Sequence, residues 1–395
     1  METKQKIKQL ANQYLSEIIE IRRNIHQNPE LGFEETDTAA YICKKLSEYN
    51  IQFQSGIAKT GIVAFIKGKN PDKKCIALRA DMDALPIMET NNCSYKSKKE
   101  GVMHACGHDA HIACLLGAAK ILNNLKEEFE GSIKLIFQPS EETFPGGAQA
   151  MIKEGVLQNP ETEIIIGQHV LPTLDCGKIG LKSGKYMAST DEIYLTVKGK
   201  GGHAATPELN IDPIVISAHI IIALQQITSR YSNPSMPTVL SFGKIIGNGR
   251  TNIIPDLVKI DGTLRTFDEK WRAEAHLRIN EIAKSIANGM GGDCEVFIDK
   301  GYPFLINNES LTESVKDKAI EYLGNENVVD LEMRMTAEDF AYFSHLKPSC
   351  FYRLGVRNEI KGITSNLHTS TFEIDENSLE TGMGLMAWLA FSQLK

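Results

Sequence analysis

Long apolar runs are missing from this chain. No segment is long enough to span a bilayer as a helix, and the charged helical pattern at the N-terminus (Lys6, Leu10, Tyr14, Ile18, Ile21) holds no apolar signal core. Excess positive charge is missing too: 43 Lys and Arg against 50 Asp and Glu give a formal net charge of −7. Nucleic acid and anionic membranes reward clustered Lys and Arg, so neither is expected as a partner. Cysteine is sparse, with 8 in 395 residues at irregular spacing, too few for a disulfide framework. Cys43, Cys75, Cys93, Cys114, Cys176, Cys294 and Cys350 are therefore read as reduced thiols of a cytoplasmic protein. Internal repeats and low-complexity tracts are absent. What is left, with 42% hydrophobic and 24% charged residues, is a composition normal for a soluble globular enzyme.

A length of 395 residues exceeds one ordinary core and suggests two domains. Residues 1–50 read as helices with a break at Asn28-Pro29. Strands follow at Gly61–Gly68, Lys74–Arg79, Ser132–Phe137 and Glu163–His169, with a helix over His111–Leu125. Continuous apolar strands alternating with helices predict an α/β fold with a mostly parallel sheet and helices on both faces. Active sites of such sheets lie beyond the carboxyl ends of the strands.

Near Lys182 the period changes. Asp191–Lys198 alternates in period two, and a helix (Pro213–Arg230), two strands (Thr238–Ile246, Leu257–Phe267), a helix (Glu269–Asn288) and a strand (Cys294–Lys300) follow. That order, β-α-β-β-α-β, is that of a small ferredoxin-like α+β domain. We expect residues 185–297 to be an insertion into a catalytic domain of residues 1–184 and 298–395. Leu311–Leu323 and Ser378–Leu394 are the remaining helices.

The chemistry concentrates in His104-Ala105-Cys106-Gly107-His108-Asp109-Ala110-His111. A thiolate and imidazoles are what a borderline-soft divalent cation prefers. A closed zinc knuckle would need a second Cys or His pair at short spacing, and there is none. The remaining candidates are scattered, as in a catalytic site: Glu141 and Glu142 after an apolar strand, then His169 and His368. His104 and His111 suit a supporting role around the ligands. Adjacent glutamates in an extended segment point in opposite directions, so one could bind metal while the other acts as a base. Lys198–His203 has the wrong glycine spacing for a phosphate loop and reads as a turn presenting His203. His219, His276 and His345 read as ordinary surface or helix residues, and Arg265 as an ion-pairing or carboxylate-binding group.

Several ordered motifs carry a resemblance along nearly the whole chain. They are Arg22–Gly32, Arg79–Pro86, His104–His111, Gln138–Glu142, His169, Gly201–Pro207, Ala337–Phe340 and Leu367-His368. The chain resembles the amidohydrolase branch of the aminoacylase/carboxypeptidase-type metallopeptidases, which includes N-acyl-amino-acid amidohydrolases, hippurate hydrolases and auxin-conjugate hydrolases. The resemblance implies that Cys106, His108, Glu142, His169 and His368 bind two divalent metal ions, with Glu141 as general base. It also implies that His203 and Asn252 hold the oxyanion or the substrate, that Arg265 meets the substrate carboxylate, and that the inserted domain is a lid that forms a homodimer. Distant relatives carry a His-x-Asp motif where this chain has Asp81-Met82-Asp83. Cys106 and His108 look like the replacement, which leaves zinc, manganese, cobalt and nickel all open. The expected reaction splits N-acyl-amino acids into an acid and a free amino acid. A dipeptidase or carboxypeptidase using the same centre is the alternative. A non-catalytic binding homologue is the third reading, and Glu141 speaks against it.

Overall fold

A computed structural model describes residues 2–395. The chain divides into two compact units, one of Met1–Tyr186, Ile306–Met333 and Asp339–Lys395, the other of Met187–Leu305 and Arg334–Glu338.

The first unit is built on an eight-stranded sheet. Its order is Gln52–Ile57, Gly61–Lys67, Ser132–Gln138, Cys75–Asp81, Ile164–Asp175, Ser349–Arg357, Ile179–Leu181 and Val328–Asp330. The four central strands, from Ser132–Gln138 to Ser349–Arg357, run parallel. Cys75–Asp81 and Ser132–Gln138 are buried along their whole length, which is why they read as continuous rather than alternating apolar runs. Helix His108–Asn124 packs against Thr3–Gln27 and Ser378–Gln393. Small residues allow that approach: a Cβ on Gly117 would lie 2.6 Å from Met383 Sδ.

Among the elements of this unit that were not expected, three stand out. Gln52–Ile57 is a largely polar edge strand, and Gly147–Lys153 is a short helix that begins inside a Gly-Gly pair. Ser349–Arg357 is a central strand whose apolar run is interrupted by Arg353. That arginine is nonetheless buried, with its Nε donating to Tyr186 Oη at 2.9 Å and its guanidinium over the Phe351 ring.

The second unit has the expected β-α-β-β-α-β order. Its sheet runs Val239–Ile246, Leu257–Arg265, Asp191–Lys198, Asp293–Lys300, antiparallel throughout. The last strand belongs to it whole, past the expected boundary at residue 297, because Lys300 pairs with Asp191. Ile193, Leu195 and Val197 bury one face of their strand against Ile216, Ile220, Ala275 and Ile279. The helix expected over Pro213–Arg230 ends at Leu224, and a π-helical turn, Ile227–Tyr231, follows.

Candidate metal centre

Five loops and strand ends of the first unit converge. Cys75–Asp81 delivers Asp81 and Asp83, and Ser132–Gln138 delivers Glu141 and Glu142. His169 sits within Ile164–Asp175, while Cys106 and His108 flank Gly107 at the start of helix His108–Asn124. Gly107 has φ +82°, and a Cβ there would lie 2.6 Å from Val170 Cγ2. Only glycine meets both demands, so it fixes how the thiol and imidazole are presented. His368 stands on a loop with φ +61°, its N–H donating to Ala105 O at 2.9 Å. A non-glycine residue in this region is strained, and such strain persists where the surroundings impose it.

Hydrogen bonds select which ring nitrogen each histidine offers. His169 Nδ1 donates to Val170 O at 2.8 Å, so its Nε2 lone pair faces Cys106 Sγ, 3.4 Å away. His108 Nδ1 is 3.2 Å from Asp83 Oδ1. Its Nε2 is buried with no hydrogen-bond partner, 3.8 Å from Asp81 Oδ2 and 4.0 Å from Glu142 Oε1. Glu142 Oε1 is likewise buried without a hydrogen bond, although His368 Nε2 lies at an ion-pair distance of 3.2 Å. Leaving a buried polar atom unpaired costs about 1–3 kcal/mol, so His108 Nε2 calls for a partner.

The donor set fits a cation. Atoms of Cys106, His108 and His169 lie within 4.8 Å of one another, as do those of Cys106, Glu142 and His368, and those of His108, Glu141 and Glu142. Sulfur, imidazole and carboxylate together suit divalent transition metals. Burial, with Glu142, Glu141 and Asp81 close by, pushes the Cys106 thiol well above its ordinary range. A bound cation is what such a thiol needs in order to ionise. Burial also keeps His169 neutral, aided by Arg353. It opposes charge on His108 as well, but Asp81 and Asp83 hold that ring up to about 10. The Glu142 carboxylate raises His368.

Supporting residues surround this set. His111 Nδ1 donates to Asp81 Oδ1 at 2.5 Å and its Nε2 accepts from Val170 N at 2.9 Å. Both nitrogens are engaged, so His111 braces the site, in line with its expected supporting role. His104 is buried with neither nitrogen bonded, and burial lowers its pKa to about 4. Arg79 joins Gln138, Asp81 and Asp339 at 2.6–2.8 Å beneath the strand ends.

One expectation needs correcting. Glu141 and Glu142 do not splay to opposite sides, because the chain bends after Gln138. Asp83 Oδ1 accepts from Glu141 N and Asp83 Oδ2 from Glu142 N, both at 2.9 Å, and the two carboxylates converge toward His108. Asp83 was not expected in this role; its signals were a second carboxylate at a strand end before Pro86 and its place in Asp81-Met82-Asp83, where distant relatives carry His-x-Asp.

The other expected residues lie in the second unit. His203 is exposed on a two-residue strand, paired in register with Ile253, and its Nδ1 accepts from Ala205 N at 3.0 Å. In the neutral ring its Nε2 therefore carries the proton. Asn252 is its neighbour, with its carbonyl accepting from Ala204 N at 3.1 Å. Arg265 closes strand Leu257–Arg265, half-buried, with Nη1 donating to Thr263 Oγ1 and Leu264 O. Desolvation by burial weakens its hold on the proton. His276, expected to be ordinary, bonds buried Asp191 at 2.7 Å beside Arg272.

Comparison with known proteins gives concordant matches. The model of Peptidase family M20/M25/M40 matches residues 77–391. Thermostable carboxypeptidase 2 of Saccharolobus solfataricus is 40% identical over 393 residues, covering 99% of this chain and 98% of that protein. Hippurate hydrolase of Campylobacter jejuni is 39% identical over 382 residues, covering 96% and 97%. Among solved structures, the Bacillus subtilis YXEP protein, a dinuclear metal binding peptidase from the M20 family, matches with a TM-score of 0.83. It is 34% identical, and the match covers 97% of this chain and 99% of that one.

Proposed function

The chain belongs to peptidase family M20/M25/M40, and from that premise we propose that it is a metal-dependent amidohydrolase of N-acyl-amino acids. Its products are a carboxylic acid and a free amino acid, from N-acetyl, N-benzoyl or related conjugates. The observation that carries this reading is the buried His108 Nε2, which has no hydrogen-bond partner, facing two carboxylates, Glu142 and Glu141.

Cys106, His108, Glu142, His169 and His368 would hold two divalent ions, with zinc, manganese, cobalt and nickel as candidates. When bound, such ions supply Lewis acidity toward the amide carbonyl and acidify water. Glu141, buried beside the ligand Glu142, takes the proton from the attacking water as its oxygen bonds to the acyl carbon. It then gives that proton to the amine nitrogen as the C–N bond breaks.

His203 and Asn252 stabilise the developing oxyanion, for which an Nε2–H is suited. Arg265 meets the substrate carboxylate. The second unit serves as lid and dimerisation domain, and His203 completes the site of the other subunit in a homodimer. Eight free cysteines suit a cytoplasmic protein.

The carboxypeptidase relative supports a second reading, in which the acyl group is itself a peptide. Both substrates present an amide whose amine side is an amino acid with a free carboxylate. A screen of N-acetyl- and N-benzoyl-amino acids against dipeptides, using metal-stripped protein with several added metals, separates them. Turnover of acyl-amino acids is expected. Inert acyl-amino acids with every metal, while dipeptides turn over, would overturn the first reading.

A further inference from the structure

Between the end of strand Ser132–Gln138 and the two glutamates stands Ser140, with φ +48°. A serine holds this left-handed conformation only where its surroundings impose it, at a cost of about 1–3 kcal/mol. Here the surroundings are specific. Ser140 N–H donates to Glu35 Oε1 at 2.7 Å, and Ser140 O accepts from Gly147 N at 2.8 Å. A Cβ on Gly32 would lie 2.6 Å from Ser140 Oγ, so the turn before Glu35 passes this close only because it carries glycine.

Glu35 occupies the N-cap position of helix Thr36–Glu48, yet its side chain does not cap that helix. Glu30 does so in its place, accepting from Asp37 N at 3.2 Å and Thr38 N at 2.8 Å. Freed from capping, the fully buried Glu35 accepts Ser140 N–H on one oxygen and the Thr60 hydroxyl, at 2.6 Å, on the other. Three consecutive amides, those of Ser140, Glu141 and Glu142, therefore each end on a buried carboxylate, Glu35 for the first and Asp83 for the other two.

We propose that Glu35 is a positioning residue, which holds Ser140 left-handed and so turns Glu141 and Glu142 to the same side of the chain. The proposal rests on the amidohydrolase reading for the role of Glu141, but its structural half stands alone. Without the clamp, Ser140 relaxes toward φ < 0 and Glu141 loses its aim, while the metal ligands outside this bend keep theirs.

The test compares Glu35→Ala, Glu35→Gln and the double variant Glu35→Ala/Ser140→Gly in the full chain loaded with metal. Glu35→Ala is expected to lower kcat on the order of 10²-fold, the effect of misplacing a catalytic group by about 1 Å. KM at saturating metal should stay near wild type, while metal affinity falls along with kcat, because the ligand Glu142 turns on the same bend. Hydrogen exchange should accelerate in the peptide over residues 139–143 and not elsewhere. Glu35→Gln should keep most of kcat, since its amide oxygen still accepts from Ser140 N and its NH2 can donate to Thr60. The double variant should regain most of kcat, because glycine adopts positive φ without a clamp. If Glu35→Ala does not fold, Glu35→Asp, one methylene shorter, carries the same expectations. Wild-type kcat and exchange in a folded Glu35→Ala would overturn the proposal. So would a loss of kcat that Ser140→Gly does not relieve. Should wild type hydrolyse no acyl-amino acid, the amidohydrolase reading fails, and exchange over residues 139–143 alone decides the Glu35 claim.

Discussion

Asp83 Oδ1 lies 3.2 Å from His108 Nδ1, and this contact decides which face of the imidazole is offered to the site. The carboxylate holds the proton on Nδ1 and turns Nε2, which has no hydrogen-bond partner, toward Glu142. Outer partners of this kind typically matter 10–100-fold for metal affinity. Asp83→Asn should weaken metal binding by roughly that range, since an amide cannot accept from His108 and both glutamate amides with equal strength. Competition against a fluorescent chelator measures it. An unchanged metal dissociation constant would show that His108 needs no such support.

Stability should depend on pH through His26. Burial and neighbouring Arg22 oppose a charge on this ring, but Asp109 at 2.8 Å and Glu89 at 3.2 Å hold its pKa up to about 9 from an ordinary 6.5. A raised folded pKa means that its contribution is full below 6.5 and fades as pH rises through about 9. Urea midpoints across that window should fall in wild type and fall less in His26→Gln. Parallel curves for the two proteins would remove His26 as the source.

The dimer proposal predicts complementation between two inactive variants. In a mixed dimer of His203→Ala and Glu141→Gln subunits, sites completed in trans leave one site with both defects and one with neither. Activity should then return on subunit exchange, to a level set by a preorganised donor worth ~10²–10³ in turnover. Mixed dimers confirmed by chromatography but without activity would mean that His203 acts within its own chain or only caps its turn.

The sequence announced the parallel sheet because Cys75–Asp81 and Ser132–Gln138 are buried on both faces and carry apolar runs, Cys75–Leu78 unbroken and Ile133–Phe137 broken only by Lys134. Ser349–Arg357 escaped notice for the converse reason, a buried arginine in mid-strand that only the Tyr186 hydroxyl and the Phe351 ring explain. The ligand candidates were legible because Cys-Gly-His and Glu-Glu are compact. The direction of the glutamates was not, since it turns on one positive φ at Ser140 and on two carboxylates remote in sequence, Glu35 and Asp83. Which backbone amides a carboxylate will meet is a property of the folded chain.

The division of labour between Glu141 and Glu142 is the centre of this account, and one paired measurement tests it most directly. Metal stoichiometry and kcat are determined side by side for Glu141→Gln and Glu142→Ala. Glu141→Gln should keep its metal while losing the ~10²–10⁴-fold in turnover that a general base supplies, and Glu142→Ala should lose metal itself. Loss of metal in Glu141→Gln, with metal and activity both retained in Glu142→Ala, would contradict the account.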